Sequence, residues 1–295
     1  MTAVARWWLR DDAPAERLAL LRIVIGAWAC VYTLARVPEL YALSQHPAGE
    51  YAPVGAARLF ASPLAGVLAV ALGFATAALL AAFALGVAWR AVAPIAALAL
   101  LWMTSYRNSW GMVFHTEDLL VLHVVALAVT PAADAWAIGA RRRARGEAGY
   151  GWAVRLLGAL TAATYLLAGI AKLRLAGASW LDGDLLRDQI AIDNLRKALM
   201  GDDVAVLSGV MLDHAWLLAG LAAGSLAVEL GAPAALLGGR VARVWVAAAW
   251  AFHLGVVLAM NIWFPYPLLG PAFLPLLRPE SWPARAREWR RGRAG

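Results

Sequence analysis

The sequence predicts an all-α, polytopic transmembrane helical bundle, and three observations lead to that prediction. Sixty-two per cent of the 295 residues are hydrophobic and 15% are charged, whereas about a quarter of the residues of a soluble domain are charged. The apolar residues form long blocks, such as residues 64–89, which contain no charge. A helix of that length crosses a hydrocarbon core of about 30 Å. The blocks also lack the alternation of a membrane barrel strand.

The apolar blocks define about eight candidate spans. They lie near residues 18–35, 64–88, 91–106, 117–138, 152–172, 215–238, 242–261 and 264–277. The last block contains four prolines, so we expect it to be irregular or re-entrant. We therefore interpret residues 1–295 as a single transmembrane domain with outer loops at 37–63 and 173–214 and a basic tail at 279–295.

Arginine placement predicts the orientation of the spans. With eight spans and an internal N-terminus, the main arginine clusters all fall on the cytoplasmic side, as the positive-inside rule requires. These clusters lie at 6–17, 90, 141–145, 240–243 and 285–293. Both termini are therefore expected in the cytoplasm. We interpret the net charge of +7 as contact with anionic membrane lipid, and we expect no nucleic-acid partner.

The acidic outer loop 173–214 contains a predicted amphipathic helix over residues 185–200. Its apolar residues fall close to one helical face, with charges opposite; they are Leu185, Ile192, Leu195 and Leu199. Such a helix would lie on the membrane surface or cap the bundle. Gly201 is expected to end it.

Lys172 is the most informative ionisable residue of the predicted spans. The chain contains only two lysines, Lys172 and Lys197, among its 26 basic side chains. A lysine at the end of an apolar helix can lose its proton and act as a base, which arginine cannot do. The alternative is a lysine whose ammonium group reaches the outer interface. Lys197, on the outer helix, is expected to tolerate arginine.

Other ionisable residues of the spans have structural and functional interpretations. His115 precedes the fourth span at the outer side, at a depth similar to that of Lys172, and is either a site residue or an interfacial cap. Asp118 suits the first turn of a helix. His253 lies mid-span, where an interhelical hydrogen bond is its simplest role. Glu229 needs a partner, for which Arg22 and His253 are both candidates.

Several chemistries have no support in the sequence. Cys30 is the single cysteine, and neither an HExxH nor a CxxC motif is present, so no metal site is predicted. Nucleotide-binding and serine-hydrolase motifs are also lacking. The 15 tryptophans are mostly candidates for the interfacial belt, although some, such as Trp180, could line a site for a flat aromatic ligand.

Four segments, in order along the chain, resemble the HTTM family, which includes the membrane domain of vitamin K-dependent γ-glutamyl carboxylase and its bacterial relatives. They are LLRIVIG at 20–26, the RN…H…P…W element at 107–136, the Y…GxxKL…W element at 165–188, and the H…FP…P element at 252–275. The resemblance covers nearly the whole chain. It implies a helical membrane domain in a bacterial plasma membrane, with its chemistry at the outer face.

The resemblance also implies a site. The lysine of the GxxKL element deprotonates vitamin K hydroquinone in the animal carboxylase, and it matches Lys172 here; the nearby histidine of the family matches His115. Reduced vitamin K or menaquinol is the cofactor expected from this likeness. Asp118, Trp180 and His253 are candidates for binding it.

Two functions remain open at this point. The first is a quinol-dependent oxygenase or carboxylase-like enzyme. The second is a non-catalytic membrane factor that binds a lipid, a quinone or a secreted peptide or protein, like the bacterial relatives needed for maturation of a secreted toxin. The carboxylase carries a large luminal domain that has no counterpart in these 295 residues, which argues against carboxylation of a protein substrate.

Overall fold

The computed structural model describes residues 13–139 and 149–281. Throughout this part of the chain the regular structure is helical, without strands, which confirms the predicted all-α fold. The arginine clusters predicted at 141–145 and 285–293, and the part of the first cluster before residue 13, lie outside the described residues.

The helices follow the apolar blocks of the sequence. Within the described ranges they are α1 (Ala15–Leu43), α2 (Gly66–Leu85), α3 (Trp89–Arg107), α4 (Asp118–Ala128), α5 (Gly151–Ala176), α6 (Asp184–Met200), α7 (Ser208–Leu212), α8 (Ala215–Leu230), α9 (Gly239–Met260) and α10 (Pro265–Leu268). By length and composition, α1, α2, α5 with the 3₁₀ turn that follows it, and α9 could each cross a membrane, and α4 and α8 are shorter apolar helices.

Two of the predicted spans are incompletely helical. The fourth, predicted at 117–138, is helical only over Asp118–Ala128. The eighth, predicted at 264–277, consists of α10 and a 3₁₀ turn at Pro271–Leu276, because its prolines lack the N–H groups that a continuous helix needs. The irregular last segment agrees with the sequence analysis, whereas the count of eight spans stays a prediction.

The chain groups into two compact units. The first reaches to residue 157 and includes the residues from 278 onward; the second comprises residues 158–277. The boundary falls within α5, so this long helix belongs to both units.

In the first unit α1 packs closely against α2. A Cβ atom on Gly26 would lie 2.9 Å from Phe83 Cδ1 and 3.0 Å from the Cα of Ala84, so only glycine allows this approach. Small residues at helix contacts are how membrane helices gain packing energy in the absence of a hydrophobic driving force. Helix α2 ends at Gly86, whose φ of 71° is the left-handed conformation that glycine adopts readily.

The buried Arg22 joins α1 to two other backbone segments of the first unit. Its side chain is fully buried, and its guanidinium donates to the carbonyl oxygens of Ala84 at 3.1 Å, Ala132 at 2.7 Å and Ala135 at 3.1 Å. It also donates to the carbonyl of Trp136. Arg22 thus satisfies acceptors at the end of α2 and in the turn after α4, which would otherwise lack donors in an apolar environment.

In the second unit α6 has an orientation that its sequence pattern does not reveal. The helix begins after Gly183 and ends at Gly201, both with positive φ, which confirms the predicted stop. Its buried residues are Ile190, Asn194 and Lys197, whereas apolar residues of the predicted face are exposed: Ile192 is 66%, Leu195 60% and Leu199 79% exposed. The inward side of α6 therefore combines an apolar residue with two polar ones.

Hydrogen bonds explain why polar groups of α6 are buried. Asn194 donates to the Ala259 carbonyl at 3.0 Å and accepts from the Ala205 N–H at 2.7 Å. Lys197 donates to Asp193 at 2.7 Å, to the Asn261 carbonyl at 3.3 Å and to the carbonyl of Met260. Lys197 thus makes several contacts of its own, and it is unsuitable as a neutral control for Lys172.

The Asp193–Lys197 contact leads to a pH-dependent prediction. Burial alone would raise the pKa of Asp193, but hydrogen bonds from Lys197 and Arg196 outweigh burial and hold the pKa below its ordinary value of 3.8. A carboxyl group with a lowered folded-state pKa stabilises the fold above its unfolded pKa, and this stabilisation is lost as the pH falls through the folded value. Asp193→Asn should therefore destabilise the protein by about 1–2 kcal/mol at pH 7 and have a smaller effect near pH 3, below the unfolded-state pKa.

Thermal unfolding followed by tryptophan fluorescence at both pH values would measure this difference. Asp188→Asn is the matched control, because Asp188 is an exposed aspartate on the same helix. Equal melting temperatures for wild type and Asp193→Asn at pH 7 would contradict the prediction.

Candidate functional site

Lys172 forms an ion pair in the second unit. Its ammonium nitrogen lies 2.7 Å from Oε1 of Glu229, and the two side chains are 22% and 4% exposed. Lys172 comes from the last turns of α5 and Glu229 from the end of α8. The sequence-based candidates for the partner of Glu229, Arg22 and His253, are therefore wrong: Arg22 binds backbone carbonyls in the first unit, and His253 binds a tyrosine.

Gly169 makes this ion pair possible. It lies one helical turn before Lys172, on nearly the same face of α5. A Cβ atom at Gly169 would lie 3.0 Å from the Cβ of Glu229 and 3.0 Å from Cδ2 of Leu230. The glycine and lysine of the GxxKL element thus have complementary roles: the glycine lets α5 approach α8, and the lysine reaches the carboxylate.

Two aromatic rings and one hydroxyl group surround the Lys172 ammonium. Its nitrogen lies 4.8 Å from the ring centre of Trp180 and 5.6 Å from that of Phe252, both within cation–π range. Ser225 Oγ is 3.5 Å away. Trp180 is buried and its indole N–H donates to the Ala222 carbonyl at 3.2 Å. The predicted candidate Trp180 therefore does lie beside Lys172.

His253 forms a second polar pair nearby in α9. Its Nε2 shares a hydrogen bond of 2.6 Å with the Tyr165 hydroxyl. Its Nδ1 is buried and has no hydrogen-bond partner among the described residues, and the same holds for Oε2 of Glu229. The interhelical hydrogen bond predicted for His253 is present, because α5 carries Tyr165 and α9 carries the histidine.

An apolar cavity of about 380 Å³ lies next to this group of residues. Its walls come from α6, α7, α8 and α9, and Ser225 is the one polar side chain among the lining residues. Ser225 and Phe252 both line the cavity and both contact Lys172. The volume falls within the range of ligand sites, which are mostly apolar with a few polar groups.

Glycines widen this cavity. Gly220, Gly224 and Gly255 line it, and a Cβ atom on any of the three would have no atom within 4 Å. Close helix packing therefore does not require these glycines, unlike Gly169. Their effect is to leave room between α8 and α9.

The other predicted site residues belong to the first unit. His115 lies before α4 and interacts electrostatically with Asp118, the first residue of that helix. Beside them, Arg107 bridges two carboxylates, with its nitrogens 2.7 Å from oxygens of Glu39 and Glu117. Arg36 also pairs with Glu39, so this network contains two arginines and two carboxylates, which balance one another without a ligand.

The sequence analysis missed the roles of Glu229, Ser225 and Phe252 around Lys172. A signal for two of them was present, because Ser225 and Glu229 are four residues apart and therefore share a face of one helix. Among the described residues, no three His, Cys, Asp or Glu side chains are grouped so that they could hold a metal ion.

Comparison with known proteins gives one match. A family model described as the HTTM domain matches residues 12–282, nearly the full length of the chain. No curated protein and no solved structure matches the chain.

Proposed function

The chain belongs to the HTTM family, and from that premise we propose that it is a quinol-dependent membrane oxygenase, related to the γ-glutamyl carboxylase, with Lys172 as its base. The observation that supports this proposal is the Lys172–Glu229 pair beside an apolar cavity of about 380 Å³. An amine that can lose its proton, next to a space for a flat apolar molecule, is what activation of a hydroquinone requires.

The residues around the cavity fit a reduced naphthoquinone such as menaquinol or vitamin K hydroquinone. Phe252 offers an aromatic edge to a ring system, and Ser225 offers a hydroxyl group to a polar substituent. When bound, the quinol would supply the reducing electrons for reaction with oxygen.

The protein's own residues then have separate tasks. The rings of Trp180 and Phe252 lie within cation–π range of the Lys172 ammonium and stabilise its charged form. The walls of the cavity are apolar except for Ser225, and an apolar environment strengthens electrostatic interactions. His115, with Asp118, remains a site candidate from the family likeness, and His115→Gln tests it in the assay below.

The surroundings proposed for this site follow from the sequence. We place both termini in the cytoplasm of a bacterial cell and the loop 173–214 outside its plasma membrane, because the loop is acidic and the arginine clusters lie at the other ends of the spans. Membrane lipid and a quinone are the proposed partners, and a secreted peptide or protein is a further candidate.

Quinol epoxidation by the purified protein tests the proposed function. The full chain in detergent is incubated with vitamin K hydroquinone or menaquinol under ¹⁸O₂, and the product is analysed by mass spectrometry. We expect an epoxide that carries one labelled oxygen, and none under argon. Absence of epoxide with both quinols, from protein that unfolds cooperatively, would overturn the proposal.

One observation favours the alternative of a non-catalytic binding factor. The Lys172 ammonium already has a carboxylate, a hydroxyl and two rings as partners, as a purely structural lysine would. Under this alternative, the protein binds a quinone or lipid in the cavity without producing epoxide. Quenching of tryptophan fluorescence by menaquinone, with no epoxide formed, would support it.

A further inference from the structure

The ion pair with Glu229 keeps Lys172 charged, and a charged lysine cannot act as a base. A lysine acts as a base only as a neutral amine, yet here its ammonium lies 2.7 Å from a carboxylate oxygen. The carboxylate stabilises the charged ammonium by Coulomb attraction, which is strong in an apolar environment. The amine therefore becomes available only when some group nearby takes its proton.

Glu229 is the group placed to take it. Its Oε1 already accepts a hydrogen bond from Lys172 Nζ, so the proton needs only to move along that bond. Its Oε2 is buried and has no hydrogen-bond partner in the part of the chain that the structure describes, and the whole residue is 3% exposed. Burial of charge with few hydrogen bonds is costly, so the neutral amine and neutral acid lie closer in energy to the ion pair than they would in water.

The other polar groups around Glu229 are poor competitors for this proton. Ser225 donates its own hydroxyl to the Ala222 carbonyl at 2.8 Å. Tyr165, which interacts electrostatically with Glu229, shares its hydroxyl with His253. No second ionised side chain contacts either partner of the pair within the described ranges.

We propose that Glu229 is the proton-accepting partner of Lys172, so that the two residues act as one proton-holding unit in the site. The catalytic role of this unit rests on the proposed function, whereas the pairing of Lys172 with Glu229 does not. The Nζ–H bond breaks and an Oε1–H bond forms, with the electron pair left on nitrogen. The neutral amine then accepts a proton from an acidic hydroxyl of a substrate, and the unit has gained one proton in total.

Lysine labelling tests the coupling without any ligand. The chain has two lysines, so phenyl isothiocyanate modification of the detergent-solubilised protein can be followed at Lys172 and Lys197 in one sample by peptide mass spectrometry. The measured quantity is the rate at which Lys172 is modified at pH 7. The rate at Lys197 in the same sample shows whether a variant has loosened the protein as a whole.

Glu229→Gln should make Lys172 react about tenfold faster at pH 7, with the Lys197 rate unchanged. The amide cannot stabilise the ammonium as the carboxylate does. Ser225→Ala is the matched control on the same helix, since it removes a neutral contact at 3.5 Å and no charge; its Lys172 rate should stay within about twofold of wild type. An unchanged Lys172 rate in Glu229→Gln would overturn the proposal.

Infrared difference spectroscopy tests where the proton goes. On addition of menadiol, wild type should show the carbonyl band of a newly protonated carboxylic acid, and Glu229→Gln should lack it. The same band in the variant would overturn the assignment to Glu229, as would its absence from a wild type that forms epoxide. If wild type forms no epoxide, the proposed function fails, and the labelling result alone decides whether the two residues are coupled.

Discussion

Exchange of Lys172 for arginine is expected to lower the kcat of quinol epoxidation by about 10²- to 10⁴-fold, the contribution typical of a general base. Arginine keeps the positive charge, the ion pair with Glu229 and the contacts with the two rings. It does not lose its proton at any pH at which the protein is folded. The exchange therefore removes the group that can accept a proton and keeps the positive charge at position 172.

Arg174→Lys is the matched control for this experiment. Arg174 is exposed, lies two residues further along α5, and carries the same charge. We expect the kcat and melting temperature of Arg174→Lys to equal those of wild type. Lys172→Arg should keep the wild-type melting temperature but lose turnover. Wild-type turnover in Lys172→Arg would show that the lysine is structural and that the base lies elsewhere.

Replacement of Arg22 by methionine should have the largest effect on stability. Four carbonyl oxygens would lose a charged donor in a fully buried position, and unpaired buried polar groups each cost about 1–3 kcal/mol. With partial relaxation of the turn at 132–136, we expect a loss of about 3–5 kcal/mol. Arg22→Lys should recover only part of it, because an ammonium lacks the planar fork of donors that reaches separate segments.

Arg36→Gln, on the same helix, provides the comparison for Arg22. Its ion pair with Glu39 is one-third exposed, and such pairs contribute at most about 1 kcal/mol. Unfolding in mixed micelles, followed by tryptophan fluorescence, should therefore separate the two variants clearly. A loss below about 1 kcal/mol in Arg22→Met would mean that water or lipid reaches these carbonyls.

The sequence predicted the helices well and the site only in part. Apolar blocks fix where membrane helices lie, because lipid permits few other backbone arrangements. Lys172 could be selected because lysine is rare in this chain. Its partner Glu229 was not selected, since the two residues are separated by 57 positions. The shared face of Ser225 and Glu229 marks one side of α8, but the sequence does not show which helix meets that side.

The face of α6 shows a second limit of sequence analysis. The pattern of Ile192, Leu195 and Leu199 correctly identified an apolar face, and Gly201 correctly identified the end of the helix. The direction of that face was not encoded in the pattern. In a soluble protein the apolar face of α6 would be buried, whereas in a membrane protein it can face either inward or outward. Here the hydrogen bonds of Asn194 and Lys197 to the rest of the unit accompany an outward apolar face.

The outward apolar residues of α6 change how the membrane contact of the protein should be estimated. A hydropathy profile assigns residues 184–200 to the aqueous phase, because charged residues are interspersed throughout the segment. Leucines and isoleucines that face outward nevertheless gain free energy when acyl chains cover them. A hydropathy profile therefore undercounts the apolar surface that this protein can offer to the interface of a bilayer.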